Sequence, residues 1–267
     1  MTHELAQLME QAWSSFEEVA SQLAPDDWNL PTDCPAWTVR DQVAHIGSIE
    51  SAALGRPTAP GDPVQAPHVQ NDLGAINERE IEYRRSWTPD EVLDEYRDVT
   101  AERGKVLASW TDEEWGSDGT GVFGAAPRTE IISVRILDVF THEQDVRVAT
   151  GHAGHLNGDV ARFVYGRLAS GMPFVFAKRA QATDGQSVVF EVGPPGTTFG
   201  IEMQGKRAVK VDPPAEPTIR LAMDCEAFLR LSTGRWFPTR MLEEGRVRVS
   251  GDPDLADRML TGMNITP

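Results

Sequence analysis

The spacing of apolar residues changes once along this chain, and that change limits what it can fold into. Up to about residue 150 they recur at helical steps; beyond it they fall in short β-type runs bounded by turns. Helices in one half and mostly strands in the other argue for an α+β protein of two domains. Charge breaks at the same place. Residues 1–150 carry 11 basic and 28 acidic side chains, whereas residues 151–267 carry 14 and 13. A boundary near Gly151 follows, with a helical bundle over residues 1–153 and a sheet-containing domain over residues 154–267. A length of 267 residues suits two modest domains.

In the first half, Leu5, Leu8, Met9, Trp13, Phe16, Val19, Ala20 and Leu23 mark a helix over residues 3–23, ended by Pro25. Thr38 with Asp41 makes a capping-box start to a second helix, faced by Val39, Val43, Ile46 and Ile49. Four prolines make a loop of residues 56–67, and residues 71–86 read as a polar helix. Thr88-Pro89-Asp90-Glu91 opens a helix running to about Trp110, and residues 116–127 read as a glycine-rich loop. With the helix that follows, the pattern suggests a four-helix bundle, a fold that builds metal sites from side chains on facing helices.

That last helix, Thr129 to Thr150, is apolar on most sides but carries Arg135, Asp138, His142 and Asp145 at steps of three and four, on one face. An Asp and a His buried there cost several kcal/mol unless paired or bound to a metal. Asp138 and His142 are spaced i, i+4, which lets two side chains grip one ion. A satisfied Arg–Asp–His hydrogen-bond network answers the same pattern, and spacing alone leaves both open. A metal in a bundle needs a ligand from another helix, and His45 is the candidate; an ordinary hydrogen-bonded histidine is the other reading. His3, His68, His152 and His155 fall at a terminus or in loops.

The second half reads as a helix over residues 157–170, then β-type runs over 187–192, 198–203, 208–211 and 218–223. Turn signals separate them, including Gly193-Pro194-Pro195-Gly196. Short helices near 224–232 and 253–263 flank a last strand over residues 246–250. Neither a P-loop nor a dinucleotide-binding glycine fingerprint is present. A net charge of −16 repels phosphate backbones, which argues against a nucleic-acid partner. No apolar run is long enough for a bilayer span, and glutamates interrupt the N-terminal segment. Cys34 and Cys225 form no Cys-x-x-Cys pair. These features point to a cytoplasmic protein without membrane association.

Three segments share a further property. Asp33-Cys34-Pro35-Ala36-Trp37-Thr38-Val39-Arg40-Asp41-Gln42-Val43-Ala44-His45 resembles the second-helix signature of the mycothiol-dependent maleylpyruvate isomerase family, whose N-terminal domain is a DinB-like four-helix bundle. Residues 135–147, Arg-Ile-Leu-Asp-Val-Phe-Thr-His-Glu-Gln-Asp-Val-Arg, resemble its fourth-helix signature. Residues 231–236 and 245–253 resemble, more loosely, the sterol-carrier-like domain often attached to that bundle.

The resemblance implies a divalent metal, usually zinc, on His45, Asp138 and His142, with Asp138 standing where the isomerase has Glu. It implies mycothiol as the thiol cosubstrate and Arg235 as a catalytic arginine. Arg235 also reads as a structural arginine at a helix end, and Arg240 competes for the role. Metal-held thiolate attack on a small electrophile follows, of isomerase or S-transferase type. In the isomerase, addition to a cis double bond, rotation and elimination give the trans product. The alternatives are a non-catalytic small-molecule or lipid carrier with a structural metal, or a metal-dependent hydrolase. Arg135 and Asp145 are expected to orient the ligands. Cys34 and Trp37 are expected to serve as packing. Oligomeric state is left open.

Overall fold

A computed structural model describes residues 2–121, 124–194 and 196–266. The fold divides into two compact units, Met1–Gly154 and His155–Thr266.

In the first unit, α1 (Thr2–Ser21), α2 (Val39–Ala53), α3 (Asp72–Arg84) and α4 (Pro89–Ser109) precede a short α5 (Asp112–Gly116). A hairpin of β1 (Asp118–Gly121) and β2 (Gly124–Pro127) then leads into α6 (Arg128–Thr150). α1 packs on α4 and α6, and α2 packs on the same two helices, which makes the four-helix bundle; α3 lies against α2. The reciprocal cap that starts α2 is present: Asp41 Oδ2 accepts from the Thr38 amide (2.8 Å), and Thr38 Oγ1 accepts from the Asp41 amide (3.4 Å). Thr88 and Glu91 cap α4 in the same way. α6 ends at Gly151, whose φ of 73° is the left-handed conformation that glycine adopts freely. Met9, Phe16, Ile46, Tyr96, Ile136 and Phe140 fill the bundle interior.

The hairpin corrects the glycine-rich loop expected over residues 116–127. Its strands, Asp-Gly-Thr-Gly and Gly-Ala-Ala-Pro, have no apolar alternation for a sequence reading to detect, and backbone pairing alone defines them. Residues 122 and 123 of that segment lie outside the described residues.

The second unit opens with α7 (Asp159–Phe174), which runs past the expected end at residue 170 and continues as a π-helical turn over Val175–Arg179. Pro173 sits inside the helix without ending it at residue 170. Next come β3 (Ser187–Val192), β4 (Thr198–Gln204), β5 (Arg207–Val211), β6 (Ile219–Met223), α8 (Cys225–Ser232), α9 (Pro238–Glu243), β7 (Val247–Gly251) and α10 (Pro253–Thr261). The sheet order is β5-β4-β3-β6-β7, with β3 and β6 parallel and the other pairs antiparallel. α9, a helix of 6 residues, was too short for periodicity to reveal. Pro195, in the turn expected after β3, is outside the described residues. Val188, Phe190, Ile201, Ile219, Leu221 and Phe228 are fully buried, so these strands form a packed core. The Phe190 ring stacks on Phe199 with centroids 4.8 Å apart and meets Phe228 edge-on.

Candidate metal centre

α2 supplies His45 and α6 supplies Asp138 and His142, and the packing of the two helices brings the three side chains together. His45 Nε2 lies 3.5 Å from Asp138 Oδ2, and His142 Nε2 lies 3.4 Å from Asp138 Oδ1. One ligand atom from each residue can be chosen so that all lie within 4.8 Å of one another. Tetrahedral zinc holds its nitrogen and oxygen ligands at about 2.0–2.1 Å, which sets them roughly 3.4 Å apart. Each nitrogen-to-oxygen distance is of that size, with His45 facing Oδ2 and His142 facing Oδ1 of the one carboxylate. The imidazole rings meet edge to face with centroids 4.6 Å apart, and both are buried. The Asp138 side chain keeps 29% of its exposure, so the carboxylate lies on the open side of the site.

The electrostatics favour ligand protonation states. Burial pushes the His45 imidazole down to about 4, well below its usual 6.5, despite its contact with Asp138. It is therefore neutral at physiological pH, with a lone pair to give. Burial works to raise the Asp138 carboxyl, but the Arg135 guanidinium and His142 outweigh it and hold the group well below the usual carboxylate range. Arg135 donates to Asp138 Oδ2 and to Glu50 Oε1 (2.9 Å). Glu50 in turn accepts from Arg103 Nε (3.2 Å), so a chain of alternating charge, Asp138–Arg135–Glu50–Arg103, runs from the open side of the site into the interior. Arg135 thus contacts Asp138 within the striped face of α6.

Three neighbours have roles that the sequence reading did not assign. Trp37 is buried, yet its indole faces both imidazoles, with centroids 4.9 Å from His45 and 5.8 Å from His142. Trp37 Nε1 donates to Glu78 Oε2 (2.9 Å), and that buried carboxylate also meets His68 Nε2 (2.9 Å) and Arg85 Nη2 (2.9 Å). Burial works to raise the Glu78 carboxyl, and the bonds from His68 and Trp37 bring it below its usual value. Gln42, wholly buried one turn before His45, meets His142 Nδ1 through Oε1. Glu50, one turn or so after His45, is the third. The available signal was positional: polar residues interrupting the buried face of α2.

Asp145 Oδ2 stands 3.6 Å from His142 Nδ1, outside hydrogen-bond range. Cys34 is half-buried in the turn before α2, where its carbonyl accepts from the Trp37 amide (3.1 Å). Ala36, at φ 65°, lies in the left-handed region that non-glycine residues rarely adopt, and that turn places Trp37. Arg235 belongs to the second unit, half-buried just past α8 and Gly234, and its Nη1 donates to the Thr233 carbonyl (3.2 Å). Arg240 is exposed and paired with Glu244 (2.7 Å). Among the described residues, no helix is long and apolar enough to cross a membrane.

A helical bundle holding two buried histidines against a partly exposed aspartate, followed by an α+β domain, defines the class of protein. Residues 9–147 match the model of the mycothiol maleylpyruvate isomerase N-terminal domain, and residues 176–261 match the SCP-2 sterol transfer family. The first match spans more than half of the chain, and the chain belongs to the mycothiol maleylpyruvate isomerase N-terminal domain family. The crystal structure of the mycothiol-dependent maleylpyruvate isomerase is similar at a TM-score of 0.61 and 16% identity, over 94% of this chain and 93% of that one. The structure of a histidine-to-alanine variant of that isomerase gives 0.57 and 15%, over the same shares. At such identity the likeness concerns the fold. No curated protein matches the sequence.

Proposed function

We propose that this chain is a thiol-dependent enzyme of the isomerase type, with zinc or a similar divalent ion on His45, Asp138 and His142 and mycothiol as cosubstrate. One observation carries the reading: the two imidazole nitrogens stand 3.5 and 3.4 Å from the Asp138 oxygens, in a chain of this family. A divalent ion held there supplies the positive charge that keeps a thiol deprotonated near neutral pH. The chain's own groups prepare the place. His45 stays neutral because it is buried, Arg135 and Glu50 fix the carboxylate, and Trp37 covers the imidazoles and keeps bulk water from that side. Arg235 is proposed to grip a carboxylate of the substrate through its planar fork. The substrate class is a small electrophile with a polarised double bond, and S-transfer to such a molecule is the variant of the same chemistry.

The test is elemental mass spectrometry on wild type and His142→Ala, with mycothiol-dependent cis–trans isomerisation assayed on unsaturated dicarboxylic acids. About one divalent ion per chain, lost in the variant together with turnover, supports the reading. A wild type that carries no metal and takes up no added zinc overturns it. The match of residues 176–261 to a sterol transfer family favours a second reading, an apolar-ligand carrier. A lipid-like molecule copurifying equally with wild type and variant, with no thiol-dependent turnover, would establish it.

A further inference from the structure

The two histidines of the cluster are held very differently. His45 Nδ1 is buried and has no hydrogen-bond partner. His142 Nδ1 meets Gln42 Oε1. The direction of that bond follows from the groups behind it. Thr32 Oγ1 lies 2.9 Å from the Trp37 carbonyl and 3.5 Å from the Cys34 carbonyl, and both can only accept. The one hydroxyl hydrogen is therefore committed to a carbonyl. The Gln42 atom 2.6 Å from Thr32 Oγ1 must then be a donor, which makes it Nε2 and turns Oε1 toward His142. An amide oxygen carries no hydrogen, so His142 Nδ1 must supply one. With the hydrogen on Nδ1, the neutral ring has its lone pair on Nε2, facing Asp138 Oδ1 across 3.4 Å. Two acceptors at that distance lack a hydrogen between them and are suited to a cation.

We infer that Gln42 is a positioning residue that locks His142 in its Nδ1–H tautomer, through the relay Trp37 carbonyl–Thr32 hydroxyl–Gln42 amide, so that Nε2 is presented to the metal. This rests on the metal reading above for its consequence, though not for the tautomer itself. The lock acts on one ligand only: His45 is fixed by ring packing against Trp37 and His142. Metal-binding histidines gain affinity when the second ring nitrogen donates to a fixed acceptor, and loss of such a partner typically weakens binding about 10–100-fold.

The test uses the full chain as wild type, Gln42→Leu and Gln42→Glu. Long-range proton–nitrogen NMR of the His142 ring is recorded on metal-free protein in mildly alkaline buffer, and zinc affinity is measured by competition with a chromogenic chelator. Wild type is expected to show Nδ1–H. Gln42→Leu is expected to lose that pattern and to bind zinc about 10–100-fold more weakly, and Gln42→Glu, which keeps the acceptor, to stay within a few-fold of wild type. A wild-type His142 with its hydrogen on Nε2, or on both nitrogens, overturns the inference and needs no variant to fold. So does a folded Gln42→Leu that retains the tautomer and the affinity, since Asp145 would then be the partner. A wild type that shows Nδ1–H but takes up no zinc leaves the lock standing and removes the metal reading, so the two fail separately.

Discussion

The helical unit buries charge at its centre, whereas the sheet unit buries hydrocarbon. Glu50, Glu78, Glu80, Arg84, Arg103, Arg135, Glu143, Asp145 and Arg147 are all buried in the helical unit. Among the described residues of the sheet unit, Arg230 is the one buried charged side chain, and its guanidinium lies 5.7 Å from the Trp236 ring centroid. Buried ion pairs are a poor source of stability, because desolvation cancels much of their attraction. An apolar core carries no such cost. The contrast shows two uses of an interior. The sheet unit is packed for stability, while in the helical unit Arg135 and Glu50 brace Asp138, and Glu78 holds the Trp37 indole that faces His45 and His142.

The largest effects sharpen this contrast directly. Glu50→Leu leaves Arg103 and Arg135 without their shared carboxylate and should destabilise the bundle by about 3–5 kcal/mol, the usual cost of breaking a buried pair. Because Arg135 then loses its brace, zinc affinity should fall as well. Phe190→Ala removes a ring from the sheet core and should cost about 3–5 kcal/mol through the cavity it leaves, with metal content unchanged. Amide hydrogen exchange, followed separately for the two units, checks both. A Glu50→Leu protein as protected as wild type would break the comparison.

Acid should separate the units next. His45 has a folded pKa of about 4 against 6.5 unfolded, so between those values the unfolded chain binds the proton first. Its contribution is complete above about pH 6.5 and is lost as pH falls toward 4. Asp138, held below its usual 3.8, acts in the same direction at still lower pH. Taking metal-free protein from neutral to about pH 5 should cost the bundle about 2 kcal/mol from His45 alone. The shifted groups of the sheet unit, Asp224, Tyr165, Cys225 and Arg246, titrate outside that window. Urea denaturation of wild type and His45→Gln at both pH values measures the difference, and an equal slope in the two proteins would refute the assignment to His45. The smallest effect is at the start of α2. Thr38→Ala should cost about 1 kcal/mol by removing a cap that sets the helix carrying Gln42 and His45, again read by urea denaturation.

Much of this arrangement can be read from residue order. The cap at Thr38, the Pro89 start of α4, the glycine that ends α6 and the strand β3 are local events, governed by side chains within a few residues of the backbone they affect. The stripe on α6 was legible for the same reason, since residues at steps of three and four share a face whatever the rest of the chain does. The hairpin before α6 and the six-residue α9 were not legible, because neither leaves a periodic apolar signature.

The sequence by itself determined the long helices and most of the strands, the change from one to the other and the candidates His45, Asp138 and His142, because local periodicity and capping need no knowledge of distant neighbours. Only the tertiary structure decided that Glu50 would brace Arg135, 85 residues away, and that Gln42 would meet His142, 100 residues away. It also turned Trp37 from a packing residue into a wall of the cluster. The reason is physical: a hydrogen bond or ring contact is fixed by distance and direction in space, and the pairing of α2 with α6 sets both.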